Sequence, residues 1–201
     1  MYDELSQLSD AELAIKAGAG CRRSFEVLID RYSARLLAFI SSRVALREDA
    51  EDITQDTLIK AYVNMAKYNP RYRFSTWLFS IGYKTAVSHY RRSKTRQLKI
   101  NHDKETPPPE QQLQVEDEAQ NIWKLAKGLS RNQYEALWLR YNEQMQISEI
   151  ANVMGKSKVH IKVLLHRSRN KLAQMRLEQD QANTSPVLSS KDTGIAMNWE
   201  V

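Results

Sequence analysis

The stretch Ile147-Ser-Glu-Ile-Ala-Asn-Val-Met-Gly-Lys-Ser-Lys-Val-His-Ile-Lys162 constrains this chain more than any other. Small Ala151 lets two helices approach, Gly155 offers a permissive backbone at the turn between them, and Ser157 is placed to cap the second. This is the pattern of a helix-turn-helix. On its second helix Ile161, Leu164, Leu165, Ser168 and Leu172 form an inward stripe, whereas Val159, Lys162, Val163 and His166 share the outward side. An outward face mixing charge with small apolar groups suits phosphates and thymine methyls in a major groove; in a purely structural helical pair it would only be solvated. Lys156, Lys158, Arg167 and Arg169 are suited to positioning a nucleic-acid backbone rather than to reading bases.

A second unusual helix lies far upstream, from Phe74 to Arg92, and is both aromatic and basic. At about 100° per residue, Trp77, Ser80, Lys84, Ser88 and Arg91 fall on one face and Phe79, Gly82, Ala86 and Tyr90 on the other. The spacing predicts Ser75 as the N-cap, with Phe74 just before it packing back on the first turn. Aromatics on both faces exceed what one core requires. Trp77 therefore has two readings, a core residue or a platform that stacks on an exposed base.

Charge follows the same division. The net charge is +6, but residues 121–176 hold 11 Lys or Arg against 3 acids, residues 96–120 hold 3 against 6, and residues 177–201 hold 1 against 4. Positive potential concentrated in folded segments favours a polyanionic partner, although a membrane surface would attract the same charge. Cys21 is the sole cysteine, which excludes an internal disulfide and a thiolate metal cluster and suits a reducing cytoplasm. The acidic start lacks the pattern of a secretion signal, and no apolar run reaches bilayer-spanning length, so the chain is expected to be cytoplasmic.

Between residues 9 and 95 the pattern is helical throughout. Ser9 is placed to cap a helix from Asp10 to Ala17. Phe25, Leu28, Ile29, Tyr32, Leu36, Leu37 and Ile40 then mark a long amphipathic helix, and a third runs from Glu48 to Met65 before Pro70 breaks the pattern. The run Thr106-Pro-Pro-Pro-Glu favours an extended spacer. Beyond it, helices are expected around Ile122 to Leu129, after a cap at Ser130, from Ser148 to Met154, and from Lys158 to about Arg176. The expected fold is all-α, with two small helical domains (1–95 and 121–176) joined by a flexible linker (96–120), the second domain carrying the helix-turn-helix. Residues 177–201 show no periodic apolar face and read as a disordered tail.

Catalytic chemistry finds little support. His89, His102, His160 and His166 have no acid or cysteine at a metal-ligand spacing, and no nucleophile with a paired base or phosphate-cradling glycine loop occurs. No cofactor, metal or enzymatic activity is expected. Among the acids from Glu48 to Asp56, helix geometry lets Asp49, Asp52, Gln55 and Asp56 share one outward surface, which suits a solvated face, a metal site or a docking patch.

Taken together, the chain resembles the group-four, or extracytoplasmic-function (ECF), sigma factors of bacterial RNA polymerase. The resemblance covers residues 9–95 and 121–175. It is carried by Ser9-Asp-Ala-Glu-Leu, Phe25-Glu-Val-Leu-Ile-Asp-Arg-Tyr32, Glu48-Asp-Ala-Glu-Asp-Ile-Thr-Gln-Asp56, Phe74-Ser-Thr-Trp-Leu78, Arg91-Arg92, and the helix-turn-helix with Leu165-His-Arg-Ser-Arg169. It implies that Glu51, Asp52, Gln55 and Asp56 dock on the clamp helices of the polymerase core. Tyr72, Trp77, Lys84, Ser88, Arg91 and Arg92 would serve the minus-ten promoter element, with the Tyr68–Phe74 loop capturing an unpaired base. Lys158, Val159, Lys162, Val163, His166 and Arg167 would serve the minus-thirty-five element. Promoter DNA, core polymerase and an anti-sigma factor, soluble or tethered at the inner membrane, are the implied partners. The rival reading is a stand-alone helix-turn-helix regulator that never enters polymerase. Lys84 stands where the family often has Asn, Ser88 where Asp is common, and Asn69-Pro-Arg-Tyr72 replaces the usual loop; Val163-Leu164 replaces a frequent Ser-Arg pair. The promoter sequence therefore does not carry over from relatives.

Overall fold

In the computed structural model, which describes residues 2–44, 46–98 and 118–184, every regular element is a helix. The first module contains α1 (Tyr2–Ser6), α2 (Asp10–Gly18), α3 (Arg22–Ser41), α4 (Arg47–Val63), a 3-10 turn (Met65–Lys67) and α5 (Phe74–Leu98). Ser9 caps α2 in a reciprocal box: its N–H donates to Glu12 Oε2 at 2.8 Å while the Glu12 N–H donates to Ser9 Oγ at 3.3 Å. One turn of polar chemistry also ties α2 to α3, because Asp10 accepts from Arg31 Nη1 at 2.7 Å and from the Tyr32 hydroxyl.

The inward positions of α3 pack as their spacing predicts. Phe25, Leu28, Tyr32, Leu36 and Ile40 are buried, joined by Phe39, which meets Phe79 of α5 edge-on at 5.3 Å. Gly82 explains how closely α5 lies on α3: a Cβ there would sit 2.9 Å from Leu36 Cδ1. No larger residue fits without displacing that side chain.

The start of α5 departs from expectation. Phe74 is already helical, the Arg73 carbonyl accepts the first helical bond from the Trp77 N–H at 3.2 Å, and the buried Ser75 Oγ has no hydrogen-bond partner. Ser75 is thus the second residue of the helix, two positions past the Arg73 cap, rather than the cap itself. The physical cause is Phe74, whose ring is held between Tyr32 at 5.3 Å and Tyr68 at 5.9 Å and draws the helix start inward. Asn69 sets the turn before it, its side-chain oxygen accepting from the Arg71 N–H at 3.0 Å and its carbonyl from the Tyr72 N–H at 3.1 Å.

The second module contains α6 (Glu118–Ala126), α7 (Arg131–Tyr141), α8 (Ile147–Met154) and α9 (Lys158–Thr184). The α8–α9 pair is a helix-turn-helix whose turn is made by Gly155 at φ 61°, ψ 38°, a left-handed conformation that glycine adopts without a Cβ penalty. Ser157 then caps α9 by accepting from the His160 N–H at 3.1 Å. This helix continues through Thr184, past Arg176 where the apolar periodicity ends. Helices α5 and α6 take up both ends of the expected linker. Its central part, with the proline run, lies outside the described residues, as do residues 185–201 with Trp199.

Linker composition gave no sign of one further feature. The two modules dock, with α8 lying along α5 and α7 meeting the turn that follows α3 through Arg43.

Candidate nucleic-acid and protein interfaces

Three surfaces predicted from sequence can be located. The first is the outward side of α9. Ile161 and Leu165 are buried beneath it, and Ser168, fully buried, donates to the Leu164 carbonyl at 2.7 Å. With the helix anchored from below, Lys158, Val159, Lys162, Val163, His166 and Arg167 are all exposed on the other side. Val159 is 71 % exposed and Val163 42 %, so the apolar groups of this face stand in water with no core role. His166 Nε2 lies 3.2 Å from Asn170 Nδ2, a contact along the helix surface.

The second surface is the loop before α5 with the exposed side of α5. Tyr72 is 55 % exposed, and Lys84, Ser88, Arg91 and Arg92 are exposed as well. Trp77 is different: it is only partly exposed and packs edge-on against Tyr68 at 5.5 Å and tilted against Phe74 at 5.8 Å. The core reading is met by these ring contacts, and the remaining exposure of the indole leaves part of its surface open to solvent. Tyr68 supports the loop from beneath, its hydroxyl donating to the Tyr72 carbonyl at 2.7 Å; burial pushes that hydroxyl above the usual tyrosine range. The loop that presents Tyr72 is therefore preorganised.

The third surface is the acidic side of α4. Asp52, Gln55 and Asp56 are exposed and Glu51 partly so. Glu51 accepts from Arg47 Nε at 2.7 Å and Asp56 from Lys60 Nζ at 2.6 Å, both pairs four residues apart along the helix. Exposed pairs of this kind are worth about 0.3–0.5 kcal/mol and exchange readily with a partner's cations. Asp49, one turn before Asp52, is partly exposed. Its carboxylate also lies 3.9 Å from His89 Nε2 on α5.

Sequence reasoning missed the charged residues between the modules. Arg43, in the turn that follows α3, makes a two-pronged ion pair with Glu135 on α7, Nε to Oε1 at 2.6 Å and Nη2 to Oε2 at 2.5 Å, and its guanidinium also stacks on Tyr83 at 4.3 Å. The two side chains are only 6 % and 0 % exposed. Burial pushes the Glu135 carboxyl above its ordinary range, and the Arg43 charge pulls it back. Nearby, Glu143 accepts both prongs of Arg35, at 3.2 and 2.6 Å. One available signal was Glu135 itself, an acid set among Tyr134, Ala136, Leu137 and Leu139 on an otherwise apolar helix.

Among the described residues no group of three or more His, Cys, Asp or Glu could hold a metal ion, and no helix is long and apolar enough to cross a membrane. Fold and surfaces together define a two-module helical protein with a groove-sized recognition helix at one end and an aromatic, basic helix at the other. Residues 28–96 match the model of sigma-70 region 2 and residues 119–172 that of sigma-70 region 4, together more than half of the chain. The ECF RNA polymerase sigma factor BldN of Streptomyces coelicolor is 28% identical over 171 residues, covering 82% of this chain and 64% of BldN, so this chain spans just under two thirds of that relative's length. The RNA polymerase sigma factor YlaC of Bacillus subtilis is 28% identical over 157 residues, covering 75% of this chain and 91% of YlaC. In solved structures, the sigma factor RpoE of Bartonella quintana, in complex with the anti-sigma factor NepR, matches with a TM-score of 0.65 at 25% identity, covering 77% of this chain and 98% of RpoE. The chain belongs to the sigma-70 family, in its group-four, extracytoplasmic-function branch.

Proposed function

We propose that this protein is an alternative sigma factor: it binds the RNA polymerase core, directs it to a promoter and assists strand opening. The observation that carries this reading is the pairing, in one chain and in family order, of an aromatic loop and helix braced by Tyr68 with a second helix, α9, whose outward face is exposed. Neither surface carries a reactive constellation. Each is built for binding, and strand opening would draw on binding energy rather than on bond-making by the protein.

In this reading the acidic side of α4, through Glu51, Asp52, Gln55 and Asp56, docks on a basic surface of the core. The exposed edge of Trp77 and the Tyr72 loop offer aromatic faces to an unpaired base, where stacking contributes about 1–3 kcal/mol per base, while Lys84, Ser88, Arg91 and Arg92 follow the adjacent backbone. On α9, Val159 and Val163 meet base edges in the duplex major groove, Lys158, Lys162 and Arg167 neutralise phosphates, and His166 adds a polar contact. An anti-sigma protein is the expected regulator, since RpoE of Bartonella quintana was solved with one. A tethered form of that regulator would hold this chain at a membrane without inserting it.

The test is to compare DNA binding with and without core polymerase, on a duplex carrying both promoter elements and on one with the minus-ten segment pre-opened. A sigma factor requires core for recognition and gains affinity on the pre-opened template. Equal binding to both templates by the chain alone would support a stand-alone helix-turn-helix regulator instead.

A further inference from the structure

From Lys158 to Leu177, α9 contains six Lys or Arg and no acid. Yet Val159 and Val163, one turn apart, stand 71 % and 42 % exposed among those charges. A β-branched residue on a solvated helix face loses side-chain freedom and gains no packing, so water alone does not favour two of them there. Neither side chain can donate or accept a hydrogen bond. Whatever they meet, they meet through apolar contact.

Their setting identifies what covers them. At about 100° per residue, Val159, Val163 and His166 fall within about 60° of one another and form the outermost line of the helix, opposite the buried Ile161, Leu165 and Ser168. Lys162 lies about 60° to one side of Val159 and Arg167 about 80° to the other, both exposed. An apolar centre with cationic shoulders matches a major groove, where phosphates line both walls and base edges form the floor. An ordinary apolar protein surface would instead desolvate these cations without a countercharge. On the groove floor the one apolar group is the C5 methyl of thymine. Opposite a valine, the amino group of cytosine or the acceptors of guanine would lose water and gain no partner. Val159 and Val163 are about 6 Å apart along the axis at about 1.5 Å per residue, close to two base-pair steps of about 3.4 Å.

We propose that Val159 and Val163 are specificity determinants that read thymine methyl groups about two steps apart in the upstream promoter element, on one strand or on both, while Lys162 and Arg167 hold the flanking phosphates. The inference rests on the sigma-factor reading for the element but not for the contact. Two effects of the same sign give the selectivity. Burying the methyl against valine favours thymine, and the unpaired polar groups of a G·C pair oppose its replacement. One buried methyl is worth about a fourfold change in affinity, and two together about fifteenfold.

The experiment uses the full chain with bacterial core polymerase and a duplex carrying the upstream motif that the pair enriches from a randomised library; the chain alone on randomised duplexes supplies the motif if core gives none. Affinity is measured on duplexes in which each thymine of the motif is replaced in turn by uracil, which removes only the methyl group. The proposal predicts about fourfold weaker binding at each of two steps and no change at the other thymines. In Val159→Ala one of these penalties disappears and in Val163→Ala the other, whereas Lys162→Ala weakens thymine and uracil duplexes by the same factor. Both valines are exposed, so the alanine variants keep the fold, as circular dichroism would verify. A motif without thymine, uracil duplexes bound as tightly as thymine ones, penalties that persist in both valine variants, or no motif in either format overturns the proposal. A motif enriched only with core but indifferent to uracil leaves the sigma-factor reading standing. Enrichment by the chain alone and not with core ends that reading, and the uracil series then decides the methyl contact by itself.

Discussion

On α9, residues assigned to DNA and residues assigned to the core are different residues. Ile161, Leu165 and Ser168 anchor the helix from below, and Val159, Lys162 and Val163 face solvent with no packing duty. On α5 and its preceding loop the duties overlap. Trp77 packs on Tyr68 and Phe74 while part of it reaches the surface, and Tyr68 both packs in the core and holds the Tyr72 carbonyl. A duplex groove is rigid and takes a preformed helix, so separation of roles costs nothing there. A base drawn from a strand needs an aromatic surface that does not collapse, and packing against the core supplies that stiffness.

This contrast predicts that mutations in the first module confound stability with function, whereas those in the second separate them. The largest effect is expected at Phe79, which is fully buried against Phe39. Phe79→Ala should cost about 3–5 kcal/mol in chemical denaturation and reduce core binding and promoter opening together. Selective loss of opening would show that α5 is not held by this core.

Next comes the alkaline limit of the second module. Burial raises the Tyr134 hydroxyl to about 12 from an ordinary value of 10. A pKa raised in the folded state stabilises below the unfolded value and is lost as pH rises through the folded one, so stability should fall between pH 10 and about 12. The loss is about 2–3 kcal/mol at about 1.4 kcal/mol per unit. Tyr134→Phe should flatten this part of a denaturation series; an unchanged pH dependence would assign the loss to other groups.

Trp77 and Lys84 form the sharper pair. Trp77→Ala should cost about 2 kcal/mol of stability and reduce the fraction of open complex more than core affinity. Lys84→Ala, at an exposed position, should leave stability within about 0.5 kcal/mol and still reduce opening. Equal loss of core affinity and opening in either variant would indicate a folding or docking defect. The smallest effect is expected for Lys162→Ala, which should weaken binding to duplex minus-thirty-five DNA several-fold and reduce the salt slope of that binding by about one unit without altering the melting temperature. An isotherm and slope identical to wild type would remove Lys162 from the proposed reading surface.

What could be read from the chain follows from how local each feature is. The helix-turn-helix was legible because Ala151, Gly155 and Ser157 act through backbone within a few residues, and the stripe on α3 because periodicity reports burial directly. The cap of α5 was misplaced at Ser75 because a distant contact, Phe74 against Tyr32, set the helix start. The docking of the modules depends on Arg43 meeting a residue 92 positions away, a relation no local pattern encodes. The exposure of Asp52, Gln55 and Asp56 followed from helix periodicity, whereas the approach of His89 to Asp49 joins two helices and has no local signature.

The central claim, that this chain gives polymerase its choice of promoter, is tested most directly by transcription from a randomised promoter library with bacterial core RNA polymerase, with and without the protein, followed by sequencing of transcript starts. The account predicts enrichment of two motifs at fixed spacing upstream of the start sites only when the protein is present. Folded protein with active core and no enrichment would contradict it.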